Sequence, residues 1–308
     1  MKKWGSYVLL LWMILGLLRP VMGETTVQRI DYQEWKGAYR LSNGTVELIF
    51  VPQIGRIMRY GFVGDTNLLW ENPNLLGKTT DMVLAKTEWS NYGGDKLWPA
   101  PQKVWGWPPD PIMDSGLQKV SITSDKRLKI EAPLSPKHHL QFVRVIKMDA
   151  EGTGVTFENR LINKSDKPAT WSVWQVTQVA HPDKLILPLY KQGKFPTGYF
   201  VFQGADPKAE SLQIVGDEVH LTRNALQSAK IGGDSPLGWL KAERGNLTFE
   251  VSTKLQTGKT YPDDGCALEI YTNPDPLPYI ELEVLGPLVE VKPQKTITLT
   301  TRWNLKRK

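Results

Sequence analysis

The segment Gly265-Cys266-Ala267-Leu268-Glu269-Ile270-Tyr271-Thr272-Asn273-Pro274-Asp275 carries one internal carboxylate in an apolar run that ends in a Pro-Asp turn. Side chains alternate across an extended strand, so Ala267, Glu269 and Tyr271 share one face, with Leu268 and Ile270 on the other. A carboxylate beside a phenol, with apolar residues behind them, can take a proton or hold a hydroxyl. A second strand, Tyr279-Ile280-Glu281-Leu282-Glu283-Val284, repeats the pattern and puts Tyr279, Glu281 and Glu283 together. Carboxylates two residues apart on a strand are separated by about 6.5–7 Å at the backbone. That spacing suits a paired acid and base, a cation site, or a solvated face opposite Lys and Arg.

Aromatic residues supply the other half of a polar site. Between Trp89 and Pro111 the chain has four tryptophans and five prolines. So many prolines exclude a helix or a central strand, which predicts a rigid loop over a sheet. Long ordered loops of this kind are usually functional. Indole faces stack on the C–H faces of sugar rings, while amides, carboxylates and ammonium groups take the hydroxyls. Trp89, Trp98 and Trp174 are therefore candidate platforms. Asn91, Asp95, Lys96, Gln178, Tyr271 and Glu281 are candidate hydroxyl partners.

Four histidines are present, His138, His139, His181 and His220. His181 follows the Thr177-Gln178 run and precedes Pro182, which makes it the best-placed imidazole for a neutral-pH acid. No Cys/His grouping has zinc spacing. Gly77-Lys78-Thr79 imitates the end of a phosphate-binding loop, but the leading glycine is replaced by Asn72. Neither a metal nor a cofactor is predicted.

The elements that position these residues read as strands. Thr45–Val51, Leu117–Thr123, Arg127–Glu131, His139–Met148, Val155–Asn163 and Trp171–Val179 alternate or are β-branched, with polar turns between them. Leu247–Thr253, Ala267–Tyr271, Tyr279–Val284 and Thr296–Asn304 follow the same rule. Only Gln203–Leu212 and Leu221–Lys230 suggest short helices. Successive strands with few helices predict an all-β protein, a single large antiparallel sandwich.

The Glu269 to Pro274-Asp275 spacing resembles the catalytic strand of the aldose 1-epimerases (galactose mutarotases). In that family a glutamate after a Gly-x-x-Leu lead is the base that deprotonates the anomeric hydroxyl. Tyr92-Gly93-Gly94, followed by Trp98, resembles the family's His-Gly-Gly turn and its tryptophan, with Tyr92 in the histidine position. The family's second histidine, the general acid, belongs near Gln175 or Gln178, where this chain has none. The resemblance covers nearly all of the chain after the leader, including Leu69-Trp70-Glu71-Asn72. It implies a galactose mutarotase-type β-supersandwich with a sugar on its concave sheet. It also implies Glu269 as base, with Tyr92 or His181 as the substitute acid. Glutamine cannot exchange a proton near neutrality, so the missing histidines point away from simple mutarotation.

Residues 1–23 read as a secretory signal: Lys2 and Lys3, then an apolar stretch from Tyr7 to Leu18, then a cut after Gly23. The mature domain is expected to cover 24–308 and to be periplasmic or secreted, with no membrane span after cleavage. The single cysteine, Cys266, excludes an internal disulfide. The formal charge is +6, but Lys2, Lys3 and Arg19 lie in the leader. The remaining basic residues are scattered, which argues against a nucleic-acid partner. The expected partner is a carbohydrate, and the expected function is binding and processing of a glycan. A non-catalytic glycan-binding module and a structural envelope protein are the alternatives. Oligomeric state is not legible.

Overall fold

The computed structural model describes residues 24–308, so the leader read from the sequence lies outside the described residues. Two large antiparallel sheets pack face to face, as the alternating strands require. The larger sheet runs in the order Thr26–Tyr32, Trp35–Ser42, Val46–Val51, Arg56–Phe62, Asp95–Ala100, Ala169–Ala180, Tyr279–Leu285, Leu268–Thr272, Ala229–Gly233 and Phe200–Val201. Val289–Val291 adds to it by pairing with the start of the Ala169–Ala180 strand. The smaller sheet runs Leu212–Val215, Glu218–Leu221, Lys184–Pro188, Trp239–Arg244, Leu247–Thr253, Thr296–Arg307, Val155–Asn163, Leu140–Met148, Leu128–Glu131 and Lys119–Ile122. Among the described residues no helix is long and apolar enough to cross a membrane.

The core lies between the sheets. In Val155–Asn163 every second residue is buried, from Val155 through Phe157 and Leu161. In Thr296–Arg307 the inward residues are Leu299, Thr301, Trp303 and Leu305. Trp303 joins the layers. Its ring lies 4.6 Å from Phe157, 5.4 Å from Phe249 and 5.3 Å from Tyr60 of the facing sheet. A smaller cluster of Trp35, Ala38, Ile49, Val51, Ile54, Met58 and Tyr92 forms a second apolar group.

Three expectations fail. The tryptophan-rich region is not only a loop, because Asp95–Ala100 is an interior strand paired with Ser172–Thr177. Pro99 is tolerated there because its carbonyl accepts a bond from Trp105 Nε1 at 2.8 Å, away from the paired strand. Its absent N–H therefore removes no ladder bond. On that side, the Arg56–Phe62 strand meets Asp95–Ala100 in register only at Ile57 and Asp95. The helices expected at 203–212 and 221–230 are instead loops and short strands, with one tight turn at Ala209–Ser211. These segments supply outer strands of both sheets, and ladder pairing overrides a weak local helical pattern. The one α-helix among the described residues, Pro111–Ser115, arises where a loop was expected. Asp110 caps it by accepting from the Ile112 N–H at 3.0 Å, and proline suits its first turn.

Candidate functional site

Register sets the site. On the outer face of the larger sheet, Trp98 lies opposite Trp174, and Trp174 opposite Leu285. The next row holds Lys96, Val176, Glu283 and Glu269, because these pair in succession. One row further on are Gln178, Glu281, Tyr271 and Lys230. Tyr279 follows, opposite Ala180. Rows are two residues apart, about 6.5–7 Å. The face therefore reads aromatic, acidic, mixed polar, aromatic.

The chemistry is concentrated in the middle rows. Glu269 and Glu283 stand directly across from one another, at 0% and 1% exposure. Lys230 Nζ reaches both, at 2.6 Å from Glu269 Oε2 and 3.1 Å from Glu283 Oε2. Trp174 Nε1 donates to Glu283 Oε2 at 2.9 Å, while neither Glu269 oxygen has a hydrogen-bond partner and its contact with Lys230 is an ion pair. Burial raises Glu269 well above the usual carboxylate range, against the pull of Lys230. Burial raises Glu283 likewise. Burial disfavours the Lys230 ammonium, yet Glu269 and Glu283 hold its pKa above the ordinary lysine value. Two buried carboxyls facing one ammonium balance charge when they keep one proton between them, so the group can both give and take a proton.

Glu281 is served separately. It accepts from Lys96 Nζ at 3.1 Å and from Gln178 Nε2 at 2.8 Å. Glu281 and Glu283 thus meet different lysines, each from the next strand but one on opposite sides, and do not share a cation. Burial lowers Lys96, although Glu281 opposes this. Its Nζ also lies 4.5 Å from the Trp98 ring and 5.3 Å from the Trp89 ring.

The tryptophans form one wall. Trp98 contacts Trp89, Trp105, Trp107 and Trp174 at centroid distances of 5.6, 5.8, 6.1 and 5.3 Å. Trp98 is oriented by Asp114 Oδ1, which accepts from its Nε1 at 2.7 Å and from Arg56 Nη2 at 2.8 Å. Trp107 is 55% exposed and gives the wall its solvent edge.

Of the residues expected at the site, the structure brings together Glu269, Trp98, Trp174, Lys96, Gln178, Tyr271, Glu281 and Trp89. Asp95 is a correction. It alternates to the other face and lies between the sheets, bonded by Arg144, Gln175 and Thr177, so it has no free oxygen for a sugar hydroxyl. Tyr92 belongs to the second apolar cluster, edge-on to Trp35, with its hydroxyl accepting from Thr80 Oγ1. Glu269 lies four strand steps along the sheet from Arg56–Phe62, the strand whose Met58 packs in that cluster, which is about 19 Å. His181 is exposed, just past the end of the Ala169–Ala180 strand. Asn91 is buried in its own turn, where its Oδ1 accepts from the Gly93 N–H. Asp275 of the Pro-Asp turn pairs with Arg223 at 2.6 Å. Lys230 was missed because its strand is short and was read as helix. Glu283 was visible as a face-sharing acid, but nothing local tied it to Glu269.

Gly93 and Gly94 also acquire a reason. Both have positive φ, and a Cβ would come within 2.2 Å of Trp70 O and 2.3 Å of Ile57 O respectively. Gly94→Ala is expected to cost at least about 1–3 kcal/mol, from backbone strain alone, in urea unfolding. A change within error would mean that the turn can relax.

The fold is similar to that of galactose mutarotase-like proteins of known structure. A galactose mutarotase-like protein from Clostridium acetobutylicum superposes with a TM-score of 0.60 at 8% identity, covering 92% of this chain and 99% of that one. A galactose mutarotase related enzyme from Lactobacillus acidophilus gives 0.58 at 9% identity, over 87% and 97%. A galactose mutarotase-like protein from Lactobacillus casei gives 0.57 at 11%, over 88% and 100%. Residues 38–306 match the family described as a domain of unknown function, DUF4380, and the chain belongs to that family. No curated protein matches the sequence.

Proposed function

We propose that this protein binds a carbohydrate on the outer face of its larger sheet and acts on it through the Glu269–Lys230–Glu283 group. The observation that carries this reading is the pair of opposed buried carboxyls, bridged by one ammonium and set beside a tryptophan wall. Aromatic faces take the apolar side of a pyranose, and the neighbouring carboxyls and amides take its hydroxyls. Glu269 is the base of this reading, and the acid role passes from Tyr92 or His181 to its partner Glu283. The reaction class is epimerisation or another modification of a glycan. The leader fits export, so the substrate would be met in the periplasm or outside the cell.

A second reading, glycan binding without turnover, is favoured by one observation: Glu269 and Glu283 are both buried beneath Lys230. Tryptophan fluorescence titration against a panel of neutral and mildly acidic glycans tests what the two readings share. A saturable change, reduced in Trp174→Phe, is expected. No saturable response to any sugar would end both.

Mutarotation of free glucose or galactose should stay close to the uncatalysed rate. A positioned general acid contributes about 10²–10⁴-fold, and both family histidines are replaced. Polarimetry on freshly dissolved sugar decides it. Fast mutarotation lost in Glu269→Gln would overturn this expectation, and Glu283→Gln would then test Glu283 as the acid.

A further inference from the structure

A second aromatic group lies on the same face, on the far side of the carboxyls from the tryptophan wall, with Tyr271 half-buried and Tyr279 and Trp70 buried behind it. Tyr279 packs 5.3 Å from Trp70 and 6.0 Å from Tyr271. Trp70 is pinned beside this row because its N–H donates to Gln178 O at 3.0 Å. The Tyr271 hydroxyl donates to Asn273 Oδ1 at 2.8 Å, which fixes the ring direction and leaves the side chain half-buried.

The strand register gives the separation. Trp174 stands in the first row, and Ala180, six residues along the same strand, stands opposite Tyr279. At about 3.3 Å per residue Tyr279 is about 20 Å from Trp174 along the strand, and Tyr271, one row nearer, is about 13 Å away. A single pyranose ring spans only about three C–C bonds and cannot touch both Trp174 and Tyr279. The carboxyl group of Glu269 and Glu283 lies between the platforms, one row from Trp174 and two rows from Tyr279. A free monosaccharide at the carboxyls would reach Tyr271 in the next row and leave Tyr279 and Trp70 unused.

We infer that the ligand is an oligosaccharide of three or more units, bound lengthwise along the Ala169–Ala180 strand, with the Trp98–Trp107 wall and the Tyr271–Tyr279 platform as end subsites and the carboxyls at an internal unit. This rests on the carbohydrate reading above and narrows it to chain substrates. Side chains on alternate residues of one strand form a straight track, which suits a linear chain.

The test is affinity against chain length by isothermal titration calorimetry on the mature chain. The probes are linear gluco-, galacto- and manno-oligosaccharides of one to six units. In at least one series affinity should rise about tenfold or more from one unit to four and then level off. Tyr271→Ala should flatten that rise by about two- to tenfold at four units, and Tyr271→Phe, which keeps the ring, should restore it. Circular dichroism and a urea midpoint check that Tyr271→Ala is folded. Monosaccharides bound as tightly as tetrasaccharides, or a length dependence unchanged in a folded Tyr271→Ala protein, would overturn the inference and leave the carbohydrate reading standing. Silence of every probe, monosaccharides included, would overturn both.

Discussion

Arg144→Met is expected to destabilise the protein by about 3–5 kcal/mol in urea unfolding, because it strands a buried anion. Asp95 is wholly enclosed between the sheets, and Arg144 is its only charged partner there. Arg144 also donates from Nε to Asn159 Oδ1 at 2.7 Å. Asp95 Oδ2 accepts from Gln175 Nε2 at 2.7 Å and Thr177 Oγ1 at 2.8 Å, and Thr301 closes the network on Gln175. These bonds join strands of both sheets, so their loss is felt in both layers. The double variant Arg144→Met, Asp95→Leu should recover much of the loss, since an apolar pair can replace a buried ion pair at little cost. A single-variant loss below about 1 kcal/mol would show that Asp95 is not held as an anion by Arg144.

The second large effect is a fall in stability as pH rises above the ordinary glutamate value. Burial raises Glu269 and Glu283 above the ordinary glutamate value of 4.5. Over the window between that value and their folded pKa values, the folded state holds protons that the unfolded chain has released. Stability is therefore full below the unfolded value and is lost as pH climbs through the folded ones, by about 1.4 kcal/mol per pH unit for each proton. Asp263, also raised by burial, adds in the same sense. Asp31 and Asp125, lowered chiefly by hydrogen bonds from Lys36 and Thr123, act only at more acid pH. Glu269→Gln removes one carboxyl and leaves Lys230 to Glu283, so its stability should change less over the window. Urea midpoints at pH 5, 6, 7 and 8 measure the slopes. Equal slopes in both proteins would place the titrating protons elsewhere.

Much of the architecture was legible because it is written in period-two alternation. Val155–Asn163 and Leu247–Thr253 have the bounds expected of them, and the alternation of Ile297, Leu299, Thr301 and Trp303 marks a real inward face. The same rule put Glu281 and Glu283 on one face and Glu269 with Tyr271. It could not show which strands are neighbours. Lys96 and Glu281 are 185 residues apart in sequence, and no local pattern ties them. Nor could it tell the two faces of the Asp95–Ala100 strand apart, since Asp95 and Lys96 are both polar and both buried. Charge alone does not say which of them looks into the core; the register with Gln175 and Thr177 does. Pro99 misled for a different reason. A proline argues against a strand only where both of its neighbours are strands, and here one side is empty of ladder.

That half-empty side has a mechanical meaning. The first four strands, Thr26–Tyr32 to Arg56–Phe62, meet the rest of the larger sheet in register only at Ile57 and Asp95, and the 68–72 segment straps the gap, with the Leu68 N–H donating to Tyr60 O and the Ala180 and Trp70 N–H groups bonding Leu68 O and Gln178 O. Bending across this seam would strain those strap bonds as well as the Ile57–Asp95 pair, so the two halves of the face are held together by a crossing segment of chain where the ladder itself is broken.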